Sequence, residues 1–122
     1  MTVNRENMEK WINALEMYQG RQARFELVGP DGAMCAMGIG LHTCNPQALR
    51  STMTLGQLVR VRTEFYDWIG ITDPVYVNLD VSLKPQNATF WPDSVVQAND
   101  YAGQDTWTIA QRLRETYLKD ES

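Results

Sequence analysis

Ala33-Met34-Cys35-Ala36-Met37-Gly38-Ile39-Gly40-Leu41 is an apolar run with one thiol and two glycines, and its reading decides how the rest of the chain is assembled. It follows Gly29-Pro30-Asp31-Gly32, a strong turn signal. Before the turn, from Ala23 to Val28, Phe25 and Leu27 alternate with Arg24 and Glu26, the pattern of a half-buried strand. Residues 23–38 therefore read most simply as a β-hairpin. Gly38 and Gly40 leave the end of the run open between a bend and a direct turn into a short helix.

Upstream, Met8, Trp11, Ile12, Leu15 and Tyr18 recur at helical spacing within residues 4–19, with Asn4 placed to cap the helix and Gly20 to stop it. Downstream, His42 to Pro46 reads as a loop. Thr54 and Gln57 have capping-box spacing, and Leu55, Leu58, Val59, Phe65, Tyr66 and Ile69 form an apolar stripe that Gly70 can end. The rival there is a strand, from the alternation of Val59, Val61, Thr63 and Phe65. Val75, Val77, Leu79, Val81 and Leu83 alternate with Tyr76, Asn78, Asp80 and Ser82, the cleanest strand pattern in the chain. Lys84 to Asp93 reads as a loop and Ser94 to Ala98 as one helical turn. Asp105 caps a last helix running to about Leu118, with Ile109, Leu113 and Tyr117, or Ala110 and Leu113, inward. The expectation is a single α+β domain over residues 1–122, with three helices packed on a small, mainly antiparallel sheet that includes the N-terminal hairpin.

A chain of 122 residues can bury one modest core. Its net charge of −4, from 11 basic and 15 acidic residues, argues against a nucleic-acid binder, which carries a basic stripe. The arginine pairs Arg21/Arg24, Arg60/Arg62 and Arg112/Arg114 sit among acids, as on a solvated mixed surface. No stretch approaches the roughly 18–20 apolar residues of a membrane span. Met1 to Lys10 is polar and carries both charge signs, unlike a signal peptide, so the expected location is cytoplasmic. Two cysteines, Cys35 and Cys44, and one histidine, His42, with no Cys-x-x-Cys pair, give no expectation of a structural metal or a cofactor.

Cys35 lies inside the apolar run, where a thiol behaves as a small hydrophobe. The catalytic alternative is a nucleophile with His42 as its base and Asn99 or Asp100 orienting the imidazole. Asn99-Asp100 reads either as a turn whose side chains bond nearby backbone amides or as a polar pair at a loop mouth that binds a ligand. Trp11, Trp68 and Trp107 fall on helices, as core or half-core residues. Phe90-Trp91, in a loop beside Pro92, either stacks on a partner or plugs the core from the side. Arg60 and Arg62 would supply anion contacts on a neighbouring helix face.

Four marks in order resemble a family of small uncharacterised proteins of tailed phages and their bacterial hosts. Trp11 with Ala14-Leu15 matches that family's opening helix, and Met34-Cys35-Ala36-Met37-Gly38-Ile39 its Phe-Cys-Cys-Leu-Gly-Val-Leu-like segment. Trp68-Ile69-Gly70-Ile71 matches its Trp-Leu-Gly-Leu. Ala98-Asn99-Asp100, followed by Asp105-Thr106-Trp107-Thr108-Ile109-Ala110, matches its closing Leu-Asn-Asp and Ser/Thr-Phe-x-Glu-Ile-Ala. Ala36 stands where the family's second cysteine falls, and Thr108 where it has an acid. The resemblance implies a phage or prophage setting, with the host cytoplasm as the location, and no particular activity.

These readings lead to the expectation of a non-catalytic accessory protein. Its binding surface would hold Phe90, Trp91, Asn99, Asp100, Arg60 and Arg62, and its target would be a host protein or a small charged metabolite such as a signalling nucleotide. No nucleic acid or membrane is expected as partner. A symmetric dimer through an exposed edge of the Val75–Leu83 strand is the open question of assembly. The alternatives are a small thiol enzyme using Cys35 and His42, and a minor virion or assembly component.

Overall fold

Side-chain caps set where most of the helices of this protein begin. In the computed structural model, which describes residues 3–29, 31–47, 53–71, 77–82, 84–86 and 91–118, the Asn4 side chain accepts the Asn7 N–H and opens α1, Arg5–Met17. Thr54 and Gln57 close a full capping box at the head of α3, Leu55–Ile69. Gly70, at φ 81°, ends that helix in the left-handed conformation that favours glycine. Ser94 accepts the Gln97 N–H and starts the short α4, Val95–Asp100. Asp105 accepts the Thr108 N–H and starts α5, Thr106–Tyr117. The remaining helix is α2, Ala36–Cys44.

Because α2 is helical and no strand occurs among the described residues, the α+β expectation is overturned: the fold is helical, with isolated backbone bridges in place of a sheet. Three patterns misled. The run after the turn is apolar on every side because Ala36 to Leu41 is buried on every side, and a uniformly apolar segment carries no period to separate helix from strand. Within 23–28, the backbone of Phe25 turns to φ 63°, which no continuous strand permits. The Phe25 N–H goes to the Asp100 carboxylate at 2.8 Å instead of to a neighbouring strand. The loop still closes near its ends: Ala23 N–H donates to the Met34 carbonyl at 3.0 Å and Cys35 N–H to the Leu27 carbonyl at 3.2 Å.

The third pattern, Val75–Leu83, is only partly described, since Val75, Tyr76 and Leu83 lie outside the described residues. From Val77 to Asp80 the alternation is real, with Val77 and Leu79 buried and Asn78 and Asp80 exposed, and it stops at Val81, which is exposed like Ser82. Its partner is residues 93–95, through Leu79 N–H to the Asp93 carbonyl at 2.8 Å and Val95 N–H to the Val77 carbonyl at 2.9 Å. Ser94 is the cap of α4, so the partner turns into a helix after one bridge and no ladder grows. The strand whose edge left a symmetric dimer open is thus, over its described residues, an extended segment with a single bridge.

α2 lies at the centre. Trp11 of α1 and Phe65 of α3 meet edge-to-face at 5.0 Å across Gly40, where an added methyl would stand 2.7 Å from the Phe65 ring and 2.8 Å from Trp11 Nε1. That indole N–H donates to the Ala36 carbonyl at 3.1 Å, fully inside the core. α5 closes the other side of α1, tied by Arg114 to Glu16 at 3.0 Å. Leu55 and Val59, counted on the apolar stripe, are exposed; the buried face of α3 is Val61, Phe65, Tyr66 and Ile69. Trp107 is likewise exposed, whereas Trp11 is fully buried. No helix is long and apolar enough to cross a membrane among the described residues.

Candidate functional site

Asn99, on the last turn of α4, is 1 % exposed and uses all of its hydrogen-bonding capacity inside the protein. Its Oδ1 accepts from Gln22 Nε2 at 2.7 Å and from the Ala36 N–H, the first of α2, at 2.9 Å. Its Nδ2 donates to the Ala23 carbonyl at 2.9 Å and to Asp100 Oδ1 at 2.8 Å. Asn99 therefore joins α4, the start of α2 and the 22–23 segment, and has nothing left for a ligand. Asp100 Oδ1 also accepts from Phe25, while its backbone carbonyl takes the Arg24 guanidinium through Nε at 3.0 Å. This cluster holds the 23–28 loop in place and sets the strained backbone at Phe25.

Behind that loop lies a cavity of about 450 Å³. Leu27 from the loop, Met37 and Leu41 from α2, Met53 and Leu58 at the head of α3, and Val96 from α4 give it apolar walls. Polar groups are few. Arg62 and Tyr66, one turn apart on α3, line it from one side, and Glu26 and Asp100 from the loop side. Tyr66 is 3 % exposed, and its buried hydroxyl has no hydrogen-bond partner among the described residues. Arg62 is half-buried and makes no ion pair or hydrogen bond among the described residues. A leftover buried donor beside an unpaired guanidinium, in a space of ligand size, is an arrangement that packing alone does not require.

No protein-family model, curated protein or solved structure matches the chain.

Of the residues singled out in the sequence, Cys35, Arg62, Asn99 and Asp100 come together at this cavity, with Asn99 as its support. Arg60 projects from the exposed side of α3 and is not among the lining residues. Phe90 lies outside the described residues. Trp91 covers Arg112, whose guanidinium carbon stands 4.3 Å from the indole centroid. Arg112 is buried and donates to the Pro92 carbonyl and, at 3.2 Å, to Gln104 Oε1, so this pair braces the 91–93 segment against α5. Sequence reasoning placed Tyr66 only on an apolar stripe. The signal was its position four residues after Arg62, which puts both side chains on one helix face.

Cys35 and His42 are not brought together. Cys35 is the residue before α2 and its Sγ accepts the Gly38 N–H at 3.3 Å, whereas His42 is exposed in the last turn. Seven residues of helix separate them by roughly 10 Å of rise. Burial pushes the Cys35 thiol up to about 11, against the lesser pull of the Gly38 N–H. At pH 8 only about one Cys35 in a thousand would be thiolate, the reactive form. Iodoacetamide at that pH is therefore expected to leave Cys35 unmodified in the folded protein and to alkylate it fully in urea, as read by peptide mass mapping. Rapid labelling of the native protein would revive the thiol-enzyme reading.

Proposed function

We propose that this chain is a non-catalytic binding protein of the phage or prophage type, and that the cavity behind the 23–28 loop is its ligand site. The phage setting rests on the sequence resemblance alone. The binding reading is supported chiefly by the cavity itself, about 450 Å³ of mostly apolar lining walled by the loop and three helices. That volume lies in the range of sites for small organic molecules. The charges that line it weigh against a nucleotide: Arg62 is accompanied by Glu26 and Asp100, and a polyphosphate would face two carboxylates with one cation.

Leu58→Trp tests the reading. Leu58 is a half-buried wall residue, so the larger side chain can enter the cavity without invading the core. The expected result is that wild-type protein is stabilised in a thermal-shift screen of small apolar-bodied compounds, and that the variant, folded by circular dichroism, loses the response. An equal response from both would remove this cavity as the site.

The second reading, contact with a host protein, is supported by Phe25 and Tyr101. These exposed rings meet edge-to-face at 5.1 Å where the strained loop borders the cavity. Tyr101→Ala, at a ring that does not line the cavity, would weaken such a contact and leave small-molecule binding intact.

A further inference from the structure

The polar groups of the cavity are specific enough to choose among apolar-bodied ligands. Arg62 and Tyr66 are separated by four residues on α3, a spacing that makes their side chains neighbours on one face. Both are donors, and both lack a partner among the described residues: the Tyr66 hydroxyl is buried and unbonded, and the half-buried Arg62 has no carboxylate. Elsewhere in the protein, the half-buried Arg114 and the more deeply buried Arg112 are engaged, although Arg112 Nε has no partner among the described residues. Arg114 pairs with Glu16 at 3.0 Å, and Arg112 donates to backbone and side-chain oxygens. On the loop side, Asp100 has Oδ1 already engaged by Phe25 and Asn99, while Glu26 is exposed.

We infer that the cavity takes a monocarboxylate with an apolar body, its carboxylate held by the Arg62 guanidinium and the Tyr66 hydroxyl and its body among Leu27, Met37, Leu41 and Val96. This deepens the binding reading above and rests on it. A planar guanidinium offers two parallel N–H donors to one carboxylate, and the phenol supplies a third donor. The single positive charge fixes the ligand at one negative charge, because any further anionic group would approach Glu26 and Asp100. A buried phenol without a partner costs the empty protein stability, and a carboxylate oxygen removes that cost on binding.

Calorimetric titration with decanoate, decanol and decylamine, each below its micellar concentration, separates the head group from the body. Decanoate is expected to bind at least about tenfold more tightly than either of the others. Arg62→Gln and Tyr66→Phe should each weaken decanoate by about tenfold or more and leave decanol unchanged. Tyr66→Phe should melt no lower than wild type, since it removes an unbonded hydroxyl, so a loss of binding will not reflect misfolding. Equal binding of decanol or decylamine, or unchanged decanoate affinity in both variants, overturns the carboxylate inference while leaving the cavity as the site. If none of the three binds wild type, and the Leu58→Trp variant is also indistinguishable from it in the compound screen, both readings fall.

Discussion

Asn99→Asp is expected to destabilise the protein by about 3–5 kcal/mol, the range for a buried charge left without compensation. The substitution keeps the oxygen that accepts from Gln22 and from the first N–H of α2. It replaces the nitrogen that donates to the Ala23 carbonyl and to the Asp100 carboxylate. An ionised side chain there would stand against two oxygens, one of them charged, at 2.9 and 2.8 Å. A domain of this size has about 5–15 kcal/mol of total stability, so about a fifth or more would be lost.

The loss should depend on pH. Burial and the Asp100 charge raise the introduced carboxyl's pKa in the folded state above its unfolded value. The folded variant then binds more protons than the unfolded one between those two values, so its stability rises as the pH falls through that interval. The gap to wild type should therefore be widest near pH 8 and shrink toward pH 5, while Asn99→Leu should show a loss without that pH dependence. Urea unfolding at several pH values reads both; a small, pH-independent loss for Asn99→Asp would mean that the network is not holding the fold.

Gly38→Ala is the second large effect. A methyl built on Gly38 would lie 2.0 Å from the Leu27 carbonyl oxygen, a backbone atom with no rotamer to change. That oxygen already accepts the Cys35 N–H at 3.2 Å, so retreat of the loop breaks a bond. Retreat of α2 instead strains the bonds from Ala36 to Trp11 and Asn99. Alanine's better helix propensity returns only about 1 kcal/mol. A net cost of about 3 kcal/mol or more is expected, at the upper end of overpacking. Gly56→Ala makes the comparison internal. At Gly56, in the first turn of α3, the added methyl meets nothing within 4 Å, so the same change should be neutral or stabilising by up to about 1 kcal/mol. In denaturant melts the Gly38→Ala midpoint should fall while that of Gly56→Ala holds or rises; a Gly38→Ala midpoint at or above wild type would contradict the close approach.

Gly38, together with Gly40, shows where the sequence could be read and where it could not. α1, α3 and α5 announce themselves because each has one wet face, which imposes a period, and a polar cap of the expected type: Asn4, Thr54 with Gln57, and Asp105. α2 has no wet face over Ala36–Leu41, so its period is erased, and Gly38 and Gly40 look like breakers although they serve close packing. The Phe25–Leu27 alternation was equally deceptive, since a side chain seventy-five residues away, Asp100, draws the Phe25 N–H out of any strand. The site was legible in part. Arg62, Asn99 and Asp100 were candidates because they are polar, while Tyr66, Met37 and Leu58 were hidden because an apolar cavity wall has the same composition as a core.

The bonds of Asn99 also bear on how the chain acquires its structure. They reach back 63 residues to Ala36 and 76 to Ala23, so the 23–36 segment is held by a side chain made well after it. Until residue 99 has emerged, the first N–H of α2 and the Ala23 carbonyl lack this partner, and α2, short and carrying two glycines, has little tendency to form alone. Non-local closure of this kind slows folding relative to a bundle of sequential helices. For this protein, closure of the central helix waits on residue 99, and until that contact forms the most apolar stretch of the chain lacks one of its anchors.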